Sequence, residues 1–146
     1  MKTLRDQLIG TWSIVSYETR AAGGSIEHPM GKKLLGYLMY APPAFMSANL
    51  MIPGTPPFAS GDMSSGSPDE LATAARNYFG YAGRFEIDET AGAVKHHIEV
   101  ALAPNLVNTV QKRYVRMEGD RLILTGDPAR IGGRLAAPII TWRRCT

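Results

Sequence analysis

His96, Arg113, Tyr40 and Tyr81 are the residues of this chain with the clearest capacity for chemistry, and each sits in a stretch that alternates like a β-strand. Histidine titrates near neutrality and can act as a general acid or base. Arginine is a fixed cation suited to a carboxylate, phenolate or enolate. A tyrosine hydroxyl can donate to a developing oxyanion. In the segment 93–102, alternation places Lys95, His97 and Glu99 on a solvated face and Val94, His96, Ile98 and Val100 on an internal one. In the segment 107–117, Thr109, Gln111, Arg113 and Val115 share the inward face, and Asn108, Lys112 and Arg116 look outward.

The other elements must bring these faces together. Gly10-Thr11-Trp12 opens a β-branched and aromatic strand over about 11–18; if Trp12 points inward, so do Ile14, Ser16 and Glu18. The indole is large enough to plug one end of a barrel. An arginine of the last strand, about 135–144, can lie on its face as the first and last strands meet. Segments 35–40 and 45–51 form a hairpin around Pro42-Pro43 and offer Gly36, Leu38 and Tyr40 to the interior. Segment 81–87 offers Tyr81, Gly83 and Phe85, and 121–125 is a further strand. Segment 21–33 reads as turn material. Ser67-Pro68-Asp69-Glu70 carries a cap, an N1 proline and a capping box, predicting a helix over about 68–79 ended by Gly80. Residues 4–9 fit one helical turn or an irregular lead-in. The long irregular stretch 52–66 is either a lid or a mobile connector.

About eight antiparallel strands with one inserted helix, in one domain over residues 1–146, predict an all-β barrel able to hold side chains or one small ligand. The net charge of +3 is small and scattered, which argues against a nucleic-acid surface. No apolar run reaches the length of a membrane helix, and Arg5 and Asp6 interrupt the place of a signal peptide, so a cytoplasmic protein without a membrane partner is expected. Cys145 has no cysteine partner in the chain, and His96 and His97 alternate faces, so neither a disulfide nor a metal site is expected. Phosphate-cradling loops and nucleophile elbows are also missing from the sequence, and no cofactor is expected.

Several pieces together resemble the bacterial and fungal lipocalin-like domain family of the calycin superfamily. They are Gly10-Thr11-Trp12 with Val15-Ser16-Tyr17, then Gly36, Leu38 and Tyr40, then Tyr81 through Ile87. His96-His97-Ile98-Glu99, Pro104-Asn105, Thr109, Gln111 and Arg113 come next, and Gly119 through Leu124 and Trp142-Arg143-Arg144 complete the set. The resemblance covers nearly the whole chain and implies an eight-stranded up-and-down barrel with a central cavity. Some calycin-like barrels bind hydrophobic small molecules, and others act as cyclases or isomerases of natural-product pathways. Asn108 departs from the family pattern, which has glycine there.

Two functions fit the expected interior. One is binding of a small, largely apolar, oxygenated molecule, with Ser16, Glu18, Leu38, Tyr81, Phe85, Ile98 and Gln111 as lining. The other is cofactor-independent cyclisation, isomerisation or dehydration, with His96 as acid or base and Arg113 and Tyr40 stabilising negative charge. The competing structural reading pairs Arg113 with Glu18, or stacks it on Trp12, and makes His96 a satisfied core residue. The expected partner is a small molecule, for a monomer or homodimer.

Overall fold

The computed structural model describes residues 2–146; residue 1 lies outside the described residues. The first element, α1 (Leu4–Leu8), is one turn held by a reciprocal capping box between Thr3 and Asp6. Leu8 is fully buried, so the turn closes one end of the strand assembly.

Eight strands form a closed antiparallel barrel. They are β1 (Gly10–Ala21), β3 (Leu35–Ala41), β4 (Phe45–Met51), β5 (Tyr78–Asp88), β6 (Ala93–Ala101), β7 (Val110–Glu118), β8 (Arg121–Thr125) and β10 (Arg134–Arg144). Each pairs with the next in that order, and β1 pairs with β10 to close the ring. Two short strands sit on its rim: β2 (Ile26–Glu27) beside β1, and β9 (Ala129–Ile131) beside β10. The 21–33 stretch, expected to be all turn, therefore contributes a strand.

The closure carries a cation on an aromatic face. Trp12 pairs in register with Arg144, whose guanidinium carbon lies 4.1 Å from the indole ring centroid. The Trp12 Nε1 donates to Leu8 O at 3.0 Å, tying α1 to the plug. Gly10 leaves the space: its φ is +136°, and a Cβ there would stand 2.8 Å from Arg144 Nη1.

The inserted helix, α2 (Pro68–Arg76), starts at the expected Ser67 cap with the Glu70 capping box, but ends earlier than 79. Asn77 is its C-cap, and Tyr78, Phe79 and Gly80 belong to β5, pairing with Met51, Leu50 and Asn49. The ladder with β4 claims these residues before the helical spacing can extend through them. Helix α2 buries none of its residues.

Two β-bulges decide which side chains face inward. In β1, Ile14 pairs with Trp142 and Ser16 with Thr141, so Val15 is an extra residue. In β6, Val100 pairs with Ala82 and Ile98 with Gly83, which leaves Glu99 extra. At the second bulge a Cβ on Gly83 would lie 1.9 Å from His97 O, so only glycine fits. Each bulge reverses the inward–outward parity beyond it. Val100, expected inside, is thus 61% exposed, while Ala101 packs against the core. Asn108 holds the left-handed conformation (φ +63°) that glycine would take, which asparagine tolerates.

Candidate functional site

His96 is 1% exposed, at the middle of the barrel interior. Its β6 neighbours Val94 and Ile98 are equally buried, as the alternation requires. Two tyrosines hold its ring. Tyr40 Oη lies 2.7 Å from His96 Nε2, and Tyr81 Oη lies 2.7 Å from His96 Nδ1. Tyr40 projects from β3 and is packed edge-on by Phe85, centroids 5.0 Å apart. Tyr81 projects from β5 and is packed edge-on by Phe79 at 5.6 Å.

The protonation states are set by burial. His96 is pushed down to about 3, first by burial, then by the charges of Arg113 and His97. Tyr40 is raised well above its usual value by burial, reinforced by Tyr81 and opposed by Arg113. Tyr81 is raised by burial, opposed by Arg113. At neutral pH the triad is therefore an uncharged imidazole between two phenols. A neutral imidazole has one donor and one acceptor nitrogen. One tyrosine donates to it and the other accepts from it. With either tautomer, the accepting tyrosine keeps a proton that no described protein atom receives.

Arg113 lies inward from β7, opposite Val94, and Gln111 lies opposite His96. The Arg113 Nη1 donates to Lys112 O at 3.0 Å, but its Nε is buried without a hydrogen-bond partner. Among the described residues no carboxylate forms a salt bridge with it. Trp142 Nε1 is likewise buried and unpartnered. Gln111 is occupied by Thr109, donating to its Oγ1 at 3.0 Å. Leu38, Tyr81, His96, Arg113, Leu124 and Trp142 line a common central cavity of about 20 Å³, room for about one water.

Of the residues singled out from sequence, Leu38, Tyr40, Tyr81, Phe85, His96 and Ile98 are brought together in the buried core, and Arg113 and Gln111 stand on its β7 wall. Ser16 and Glu18 are not among them. The Val15 bulge turns both to the outer face, where Ser16 Oγ donates to Glu18 Oε1 at 3.4 Å. Arg113 thus has no Glu18 partner, and the cation over Trp12 is Arg144. Tyr17 and Thr19 take the inward positions instead, paired with Ile140 and Pro138. Burial raises Tyr17 as well, opposed by Arg113. The sequence holds one sign of this: the large apolar residues fall at 12, 14 and 17, which shifts phase by one. The free donor of Trp142 has no such sign, because the residue's place in the last strand speaks only to closure.

Sequence comparison agrees with the barrel. The lipocalin-like domain family matches residues 9–145. The chain belongs to the lipocalin-like domain family. One relative is the 4'-hydroxy-3'-methoxypropiophenone carrier protein ppsC of Aspergillus oryzae, 39% identical over 106 residues, which are 68% of this chain and 96% of that protein. No helix among the described residues is long and apolar enough to cross a membrane. No group of three or more His, Cys, Asp or Glu among the described residues could hold a metal ion.

Proposed function

We propose that this lipocalin-like barrel binds and carries a small aromatic molecule bearing a carbonyl or phenolic oxygen. The observation that supports it is the sign of the unsatisfied hydrogen bonding. One tyrosine proton, Arg113 Nε–H and Trp142 Nε1–H are all donors, and Arg113 and Trp142 line, with Tyr81 and His96, a cavity otherwise walled by apolar side chains. Buried donors without acceptors are costly. A ligand oxygen would supply the acceptor that the protein itself does not. The relative's name, a carrier of a hydroxy-methoxy aryl ketone, points to the same chemistry.

The cavity is far smaller than a typical ligand site of roughly 300 Å³ or more. Admission of an aromatic ring therefore requires movement at the end opposite α1. There the strand connections place Met30, Ile52 and Leu106, and the start of β5 places Phe79, all packed against the core. The acid–base alternative gains less from the site. A histidine with its pKa near 3 is a weak base at neutral pH, and both its nitrogens are already engaged by phenols.

The test is calorimetric titration with 4'-hydroxy-3'-methoxypropiophenone, then recovery of the ketone. Saturable binding, with the ketone recovered unchanged, supports carriage. Tyr40→Phe with Tyr81→Phe, and Trp142→Phe separately, should weaken binding, while Glu18→Gln on the outer face should not. Conversion of the ketone sinks the carrier reading in favour of the enzyme, and so does absence of saturable binding for any carrier role toward this class.

A further inference from the structure

Arg113 is a half-buried cation on the β7 wall whose Nε is fully buried, and among the described residues no carboxylate pairs with it. Its charge acts on His96 from β6, Tyr17 from β1, Tyr40 from β3 and Tyr81 from β5. Trp142 and Ile140 from β10 and Leu124 from β8 line the same cavity as Arg113, and Gln111 and Val115 share its face of β7. The Gly126 backbone lies against it too, since a Cβ there would be 2.8 Å from its Nη1. None of these is a carboxylate. Glu18, the one acid of β1 that alternation would have brought inward, is turned out by the Val15 bulge.

The interior therefore has a net charge of +1 when the tyrosines and His96 are neutral. Burial keeps them neutral, and the positive charge itself helps hold His96 unprotonated. The buried Nε–H of this cation has no acceptor, and a charged donor withdrawn from water is costly unless it is paired. The chain offers the charge and withholds the counter-ion.

We propose that the barrel selects the ionised form of its ligand: a hydroxyaryl ketone is bound as the phenolate, with Arg113 as its counter-ion. This rests on the carrier reading above and specifies the charge state of the molecule carried. An acyl group para to a phenol draws the anion's charge onto the carbonyl oxygen. Either oxygen of the ligand then serves as an acceptor for Arg113 Nε–H, Trp142 Nε1–H and the free tyrosine proton. A neutral aryl ketone without the hydroxyl satisfies the hydrogen bonds but leaves the cation unbalanced. Below the phenol's own pKa, binding must release one proton from the ligand to the buffer.

The experiment measures the dissociation constant and the absorbance spectrum of bound 4'-hydroxy-3'-methoxypropiophenone between pH 6 and 9. Ionisation of such phenols shifts their absorbance to longer wavelength, so the bound form reports its own charge. The expected result is the phenolate spectrum in the complex at pH values where the free ketone is still neutral. Affinity should fall about tenfold per pH unit below the free phenol's pKa. Calorimetry in buffers of different ionisation enthalpy should count about one proton released in that range. Arg113→Met should abolish the spectral shift and flatten the pH dependence, and Arg113→Lys should retain both. Arg116→Gln removes an outward charge from the same strand and should change neither. Far-ultraviolet circular dichroism of each variant separates loss of selection from loss of fold. Should Arg113→Met not fold, Arg113→Lys and the spectrum of the parent complex still decide the matter. Saturable binding of the neutral form, with affinity flat or rising as the pH falls, overturns this inference and leaves the carrier reading standing. Absence of saturable binding at every pH overturns both.

Discussion

Arg144 covers the face of Trp12 at 4.1 Å, and the two residues are paired in register across the seam that closes the barrel. The arginine also donates from Nη1 to Ile9 O at 3.2 Å and from Nη2 to Gln7 O, so one guanidinium joins the last strand, the plug and the α1 turn. Leu8 O in turn accepts from the indole. The first and last residues of the barrel thus stabilise a shared end, away from the cavity donors.

Gly10 is the residue this arrangement cannot spare. Gly10→Ala forces a side chain into a glycine-only backbone region and against Arg144 Nη1. It should cost about 1–3 kcal/mol, read as a lowered urea midpoint with an unchanged slope. The tryptophan emission should shift to longer wavelength in the same variant as the plug loosens.

His96 makes the fold acid-sensitive in a defined window. Its pKa is about 3 in the folded barrel and near 6.5 in the unfolded chain. As pH falls below 6.5 the unfolded chain takes up the proton first, so stability present in full above 6.5 is lost progressively down to about 3. The contribution is about 1 kcal/mol for each pH unit in that window. Denaturant titrations at pH 7 and pH 4.5 should show a larger drop for the parent than for His96→Gln. Equal drops would mean that protonation of His96 is not what the acid limb reports.

Met30 is buried in the core cluster although it comes from the connection between β2 and β3. It is unbranched and flexible, a side chain suited to moving aside. Met30→Ala should destabilise the barrel by about 2–4 kcal/mol and speed the association of the hydroxyaryl ketone in stopped-flow fluorescence. If association is unchanged in a variant that is folded, entry does not pass this residue.

The sequence pattern carried the eight barrel strands, the Trp12–arginine closure and the burial of His96, because alternation over several residues is a strong signal wherever a strand is uninterrupted, while the up-and-down order came from the family resemblance. It failed at Ser16, Glu18 and Val100 for one shared reason. A bulge adds one residue to a strand and reverses every facing beyond it; in β1 its one sign is the phase shift of the large apolar residues at 12, 14 and 17, and nothing in the type of Glu99 announces the other. It also overran the end of α2, since Tyr78 and Phe79 continue a helical spacing but are taken by β4, a partner remote in sequence. The pairing of Tyr40 and Tyr81 through His96 is of the same kind. Each residue could be placed inside by alternation, but which hydroxyl meets which nitrogen depends on three strands meeting in register.

The surplus residue at Val15 has a further effect on the chemistry of the interior. Were Val15 instead paired directly with Thr141, without the bulge, strict alternation along β1 would swing Glu18 into the barrel in place of Tyr17. A carboxylate would then enter the compartment that holds Arg113. The barrel would be internally neutralised, and its preference would pass from anions to uncharged guests. The bulge in β1, by holding Tyr17 inside and Glu18 outside, thus fixes the electrical polarity of the chamber.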